Sequence, residues 1–188
     1  MKYLDLQKII KTNIFTIADL AKYFSKESES LTKTQIYRFT KKKLVFQIKK
    51  GIYCFNLGRV DQFELASILY PQSYISLESA LNYYGLIPDI PLSVTSVTPV
   101  TTKTIKSVLG IYFYSKISPK LFFGYQTIIK NNLRYYLAKK EKAFLDFIYI
   151  RKIRSLADLR IDTKLLDKKF LRRYIKSYPN WVKQIKYE

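Results

Sequence analysis

Between Leu31 and Phe55 the spacing of apolar residues changes from a helical period to alternation, with a glycine where the alternating part turns. A helix buries every third or fourth residue and a strand every second, so this stretch is satisfied by a helix followed by a hairpin. In "LTKTQIYRFTKKK", Ile36 and Phe39 fall on one side, while Thr34, Tyr37, Arg38 and Lys41 fall on the other. Thr32 is expected to cap this helix, with Gln35 closing a capping box and Leu31 stapled onto Ile36. In "LVFQIKKGIYCF", two apolar runs flank Lys49 and Lys50, and Gly51 supplies the positive φ that a tight turn requires.

Two shorter helices are predicted upstream. Tyr3, Leu6, Ile9 and Ile10 recur at helical spacing in "YLDLQKII". "FTIADLAKYF" offers Thr16 as N-cap, Asp19 three residues on, and Phe15 to staple onto Leu20. "SKESES" reads as a polar connector. Three helices and a hairpin, in that order, predict a winged helix-turn-helix domain over residues 1–57, closed by the linker "NLGRV". In such a domain the third helix enters the major groove and the hairpin lies along the backbone or the minor groove.

Residues 58–188 predict a second, α+β domain. "DQFELASILYP" and "YISLESALNYYGLIP" read as helices, the second capped by Ser76 and stopped by Gly85. "LSVTSVTPV", "VLGIYFYSKI", "LFFGYQTII" and "LRYYLA" read as strands. "KKEKAFLDFIYI" reads as a helix with Ala143, Phe144, Phe147 and Ile148 on its core side. Glu141 sits in its first turn, where negative charge is favoured, and Asp146 stands four residues after Lys142, where the two can pair. About residues 151–188 read as a basic helical C-terminus, with Phe170, Leu171, Tyr174 and Ile175 facing the core.

Charge points to the partner. The chain carries 34 Lys and Arg against 14 Asp and Glu, a net charge of +20. Residues 1–57 contribute 12 basic and 4 acidic residues, residues 58–127 contribute 5 and 4, and residues 128–188 contribute 17 and 6. Nucleic acid is the usual reason for such an excess, with an anionic membrane surface or an acidic protein behind it. The apolar runs are far shorter than the roughly 18–20 residues of a membrane span. The N-terminus has charges through its middle and reads as no signal peptide. The one cysteine, Cys54, fits a reducing cytoplasm.

Zero histidines and one cysteine leave no His-based triad, no Cys–His pair and no tetrahedral Cys/His zinc site. The five glycines are scattered and form no phosphate loop, so no cofactor is expected. Asp158, Asp162 and Asp167 are the residues a magnesium-dependent enzyme would have to use, and each reads more simply as a cap or a charge partner. The chain is therefore read as a binding protein and not an enzyme. In the DNA-binding reading, backbone amides at the start of the third helix and Lys33 hold phosphates. Thr34, Tyr37, Arg38 and Lys41 face base edges, and Arg38 has the fork that grips a guanine. Gln35 and Lys42 flank that face, and Lys49 and Lys50 grip the flanking backbone.

Four stretches carry a family resemblance. "KKGIYCF", "YISLESALNYYGLIP", "TTKTIKSVLGIYFYSKISPKLFFGY" and "LAKKEKAFLDFIYI" resemble, in that order, signature stretches of the AbiEi antitoxins of type IV toxin–antitoxin pairs. The resemblance covers about residues 5–150; Lys140 stands where the family often has proline, and the last 38 residues match none of its patterns. It implies a winged helix that binds inverted repeats in the operon's own promoter as a repressor, with dimerisation on DNA if the site is palindromic. It also implies an antitoxin domain, residues 58–188, that counters a co-encoded nucleotidyltransferase toxin of AbiEii type. Contact with the toxin, shielding of its target and reversal of its modification all remain open. A stand-alone regulator without a toxin is the first alternative, and a nucleic-acid-processing enzyme the second.

Overall fold

The computed structural model describes residues 1–25, 28–130, 133–157 and 159–185 of a mixed α+β chain. Helix α1 (Tyr3–Ile9) leads into strand β1 (Ile14–Thr16), and helix α2 (Ile17–Tyr23) follows at once. Thr16 caps α2 as its spacing predicts. Its Oγ1 accepts the Asp19 N–H at 3.1 Å, and Asp19 Oδ2 accepts the Thr16 N–H at 2.9 Å.

Helix α3 (Glu29–Lys41) begins a turn earlier than expected. Its N-cap is Ser28, whose Oγ accepts the Leu31 N–H at 3.3 Å. Thr32 is buried with Ile36 and Phe39 at i, i+4, i+7 spacing, so it lies inside the helix on the core face. Leu31 is 58% exposed and cannot staple. Gln35 is half-buried in mid-helix, where it closes no box.

Strands β2 (Phe46–Lys49) and β3 (Ile52–Cys54) form the hairpin, and Gly51 turns it at a φ of +83°. β1 pairs antiparallel with β3, giving a sheet of order β1-β3-β2. A strand of three residues is too short to show alternation, so Phe15 reads from spacing alone only as a staple. Alternation across this sheet sends its two faces to different cores. Phe15, Tyr53 and Phe55 pack with Leu6, Leu20, Ile36, Phe39 and Val45. Ile14, Ile48 and Cys54, with Phe46 and Ile52, join the larger core of the rest of the chain. Asn13 clamps the exit: its side chain donates to Asn56 O at 2.9 Å and accepts the Asn56 N–H at 3.0 Å.

The second sheet has six strands in the order β6-β7-β5-β4-β9-β8. These are β4 (Tyr74–Ile75), β5 (Val94–Thr98), β6 (Lys103–Ser107), β7 (Gly110–Lys116), β8 (Tyr125–Lys130) and β9 (Leu133–Ala138). The β4–β9 and β5–β7 pairs are parallel and the others antiparallel. β4 and β6 are absent from the sequence expectation, one being two residues long and the other mostly exposed and polar. Helix α4 (Gln62–Leu69) covers one face, where Tyr114 Oη donates to Ala66 O at 2.8 Å. Helices α5 (Leu77–Tyr83) and α6 (Lys140–Arg151) cover the other, where the Ser79 N–H meets Thr95 Oγ1 at 3.0 Å.

The C-terminal segment is less helical than its composition predicts. Helices α7 (Lys168–Ile175) and α8 (Asn180–Lys183) are short, and both pack on α6. Asp167 caps α7 and donates its own N–H to Glu141 Oε1 at 3.0 Å. Leu171 and Tyr174 face the core as expected, but Phe170 is 40% exposed. Tyr149 stacks on Trp181 with 6.1 Å between centroids.

Lys142 and Asp146 do pair, and both are fully buried. Asp146 Oδ1 also accepts the Tyr178 hydroxyl at 2.7 Å, while its Oδ2 accepts the Tyr74 and Ser76 hydroxyls at 2.9 Å each. Ser76 stands at the N-cap position of α5, yet its hydroxyl does not cap that helix, because Asp146 takes it. Lys142 Nζ donates to Tyr178 Oη at 2.8 Å and lies 5.1–5.5 Å from the ring centroids of Tyr74, Phe123 and Tyr178. Gly124, at φ +73°, leaves room for this side chain, since a Cβ there would meet Lys142 Cγ at 3.1 Å. Burial lowers the Lys142 pKa against the pull of the Asp146 carboxylate, and burial lifts Tyr74 and Tyr178 well above the usual phenol range.

Removing one member of a buried ion pair strands the other charge, so Lys142→Met should cost roughly 3–5 kcal/mol in urea unfolding. Adding Asp146→Leu should recover part of that loss. A single variant as stable as the parent would show that the pair does not hold the fold. Alkali supplies a second test. Burial pushes Tyr84, Tyr112 and Tyr135 up to about 12. A folded-state pKa raised above the unfolded value gives stability that is complete below pH ~10 and lost as pH rises towards ~12. The share of tyrosinate absorbance that these buried phenols contribute should therefore appear together with loss of near-UV circular dichroism, with Lys142 acting in the opposite direction.

Candidate nucleic-acid interface

α3 turns its polar side outward because Thr32, Ile36 and Phe39 fix the other side in the core. Tyr37, Arg38 and Lys41 are exposed, and Tyr37 is 60% accessible, so it does not fold back onto its own domain. Lys41 Nζ lies 5.4 Å from the Tyr37 ring centroid, a cation–π contact that holds both side chains on the same ridge. Arg38 has no ion pair among the described residues, which leaves its guanidinium fork available. Thr34 is exposed, but its hydroxyl donates to Ser30 O at 2.9 Å, so it presents chiefly its methyl group.

Lys33 has a different neighbourhood from the one its position suggested. The start of α3 is at Ser28, a turn upstream, and Lys33 pairs with Glu29 at 2.5 Å. Both side chains are exposed, so the pair is weak and a phosphate could compete for the ammonium. Burial raises the Tyr53 pKa, and the Lys33 charge draws it back. Gln35 is half-buried between this flank and the core stripe.

Lys42 forms the C-cap of α3, and Lys43 follows in the left-handed conformation at φ +54°. The Leu44 N–H closes the end by donating to Phe39 O at 3.0 Å. Glycine usually fills such a position, since a side chain there costs about 1–2 kcal/mol. Lys43 is exposed beside Lys41 and Lys42 and belongs with this basic surface. It was readable in the "KKK" run, but its backbone conformation was not.

Lys49 and Lys50 are exposed at the hairpin tip. The pairing register slips between Gln47 and Lys49, a bulge that twists the tip relative to the strands below. The two lysines therefore ride on a hairpin whose faces are covered by two different cores. Among the described residues, no group of three His, Cys, Asp or Glu could hold a metal. No family model matches this chain, and no curated protein matches it at a significant level.

Because Ser28 starts α3, Ser28→Ala should lower stability by about 1 kcal/mol in urea unfolding. Gln35→Ala should cost less. The reverse order would place the helix start downstream.

Proposed function

We propose that the chain is a winged-helix DNA-binding repressor of its own promoter and the antitoxin of a type IV pair. The observation that carries the DNA-binding reading is the outward ridge of Tyr37, Arg38 and Lys41, with Lys49 and Lys50 also exposed at the hairpin tip. The order helix–strand–helix–helix–strand–strand, with β1 closing on β3, supports a winged helix. Arg38 reads a base edge, the Thr34 methyl suits a thymine methyl, and Lys33, Lys42, Lys49 and Lys50 neutralise phosphates. Two copies on an inverted repeat would place their α3 helices about one helical turn of DNA apart.

The antitoxin reading rests on the AbiEi resemblance. Three of its stretches converge on the buried site: Tyr74 and Ser76 come from the first, Gly124 from the second, and Lys142 and Asp146 from the third. Packing accounts for those residues, so the surface that opposes a toxin lies outside them. The enzyme reading loses ground at Asp162, whose Oδ1 caps a 3-10 turn by accepting the Lys164 N–H at 3.1 Å. Asp158 lies outside the described residues.

Gel shifts on the DNA upstream of the gene test the first half. Arg38→Ala should weaken binding at least about tenfold and relax preference at one base position. Lys49→Ala with Lys50→Ala should weaken all sequences alike and flatten the log-salt slope by up to about 1.8, two contacts at roughly 0.9 each. Wild-type binding by both variants would sink the groove assignment. For the second half, the full-length Arg38→Ala variant should still rescue growth when the neighbouring nucleotidyltransferase is expressed. The full chain is the right material, because a 58–188 fragment would bare the surface that Ile14, Ile48 and Cys54 cover.

A further inference from the structure

At 100° per residue, Lys168, Arg172, Lys176, Lys169 and Arg173 fall within an arc of about 140° on α7. Together they line a shallow depression of about 470 Å³. Among the described residues, Lys169, Arg172, Arg173 and Lys176 have no ion pair. The nearest carboxylate in sequence, Asp167, spends Oδ1 on the Lys169 and Phe170 N–H groups at 2.7 and 3.2 Å. Like charges packed this closely repel one another, and a polyanion relieves that repulsion.

We infer that this arc is a second nucleic-acid surface, one that takes unpaired strands. Phe170 selects the class of partner. It borders the arc about 60° from Arg173 on the helix, is 40% exposed, and has Lys139 Nζ 5.9 Å from its ring centroid. A duplex keeps its base faces stacked inside, whereas an unpaired strand lays a base on such a ring while cations track its phosphates. An acidic peptide would match the charges but give Phe170 no role. A bilayer is disfavoured because Leu171 and Tyr174, the apolar side an amphipathic helix would insert, are already buried in the core.

The platform is also held still. Glu141 ties the start of α7 through the Asp167 N–H, and beyond its end Tyr178 is anchored on Lys142 and Asp146. The inference stands independently of the promoter-binding reading, since it uses none of the same residues.

Fluorescence anisotropy on the full chain carrying Arg38→Ala, Lys49→Ala and Lys50→Ala isolates this surface. The probes are an oligouridylate and an oligodeoxythymidylate of about 20 nucleotides, long enough for one site, and a non-promoter duplex of similar length. Adding Arg172→Ser, Arg173→Ser and Lys176→Ser should weaken single-strand binding at least about tenfold and flatten the log-salt slope by about 2, three contacts at roughly 0.7 each. Phe170→Ala should cost roughly 5- to 100-fold on single strands, with little change on the duplex, and Phe170→Tyr should retain binding. Tighter binding of one single strand identifies RNA or DNA as the source, and equal binding assigns recognition to the shared phosphodiester strand. Thermal melting checks that each variant is folded. Unchanged single-strand binding in the triple variant, or a Phe170→Ala variant with parental affinity for every probe, would overturn the inference.

Discussion

An ammonium and a carboxylate sealed from water sit where β4, α6 and the C-terminal segment meet, and losing either one would strand the other charge among them. Taking both ions out of water costs several kcal/mol each, which their mutual attraction offsets only with good geometry and further hydrogen bonds. Asp146 has them: three hydroxyls, from Tyr74, Ser76 and Tyr178, converge on its two oxygens. Lys142 has the faces of three aromatic rings and the Tyr178 oxygen. A wholly apolar replacement could match the stability, but it would not dictate which residues meet. An unmatched register here would bury a bare charge, so the pair sets the position of α6 against β4 and of Tyr178 against both.

The same logic reaches the exposed ridge of α3 and its hairpin by a different route. The small sheet β1-β3-β2 has one face in each core, so its hairpin cannot swing without opening one of them. Isolated two-stranded hairpins are marginal in water, and β1 together with the two packed faces removes that weakness. Lys49 and Lys50 then extend from a fixed base, which lowers the entropy that any ligand binding there would cost. Lys43, held left-handed between α3 and the hairpin, completes the ridge at a position where a glycine would carry no charge.

Much of this architecture was legible where a signal is local. The Thr16–Asp19 box, the Gly51 turn, the Ile36–Phe39 stripe and the i, i+4 spacing of Lys142 and Asp146 depend on residues within a few positions of one another. Elements whose identity is decided by distant partners were not legible. β1 and β4 are strands because strands distant in sequence pair with them, and the Ser76 hydroxyl does not cap its helix because Asp146, seventy residues on, takes it. The start of α3 failed for another reason. Ser28 and Thr32 both suit a cap, and only burial of Thr32 beside Ile36 separates them. At the candidate site, exposure of Tyr37, Arg38 and Lys41 followed from the stripe, while the Glu29 partner of Lys33 and the engaged Thr34 hydroxyl depended on that shifted start.

Charge distribution and packing then fit together. The excess of positive charge stands at the two ends of the sequence, and the stretch between them is nearly neutral. The arc on α7 and the ridge on α3 share one construction, in which an apolar stripe locked in a core aims the opposite side of a helix at solvent. They differ in what accompanies the cations. The ridge places a tyrosine under Lys41 and a guanidinium fork at its centre, a combination suited to groove edges. The arc places an exposed phenylalanine at its border, which suits bases already free of their partners. Self-repulsion among so many cations works against the compact state. Each of these helices withstands it because its anchoring residues are buried, so the charge that works against compactness is held in a fixed geometry.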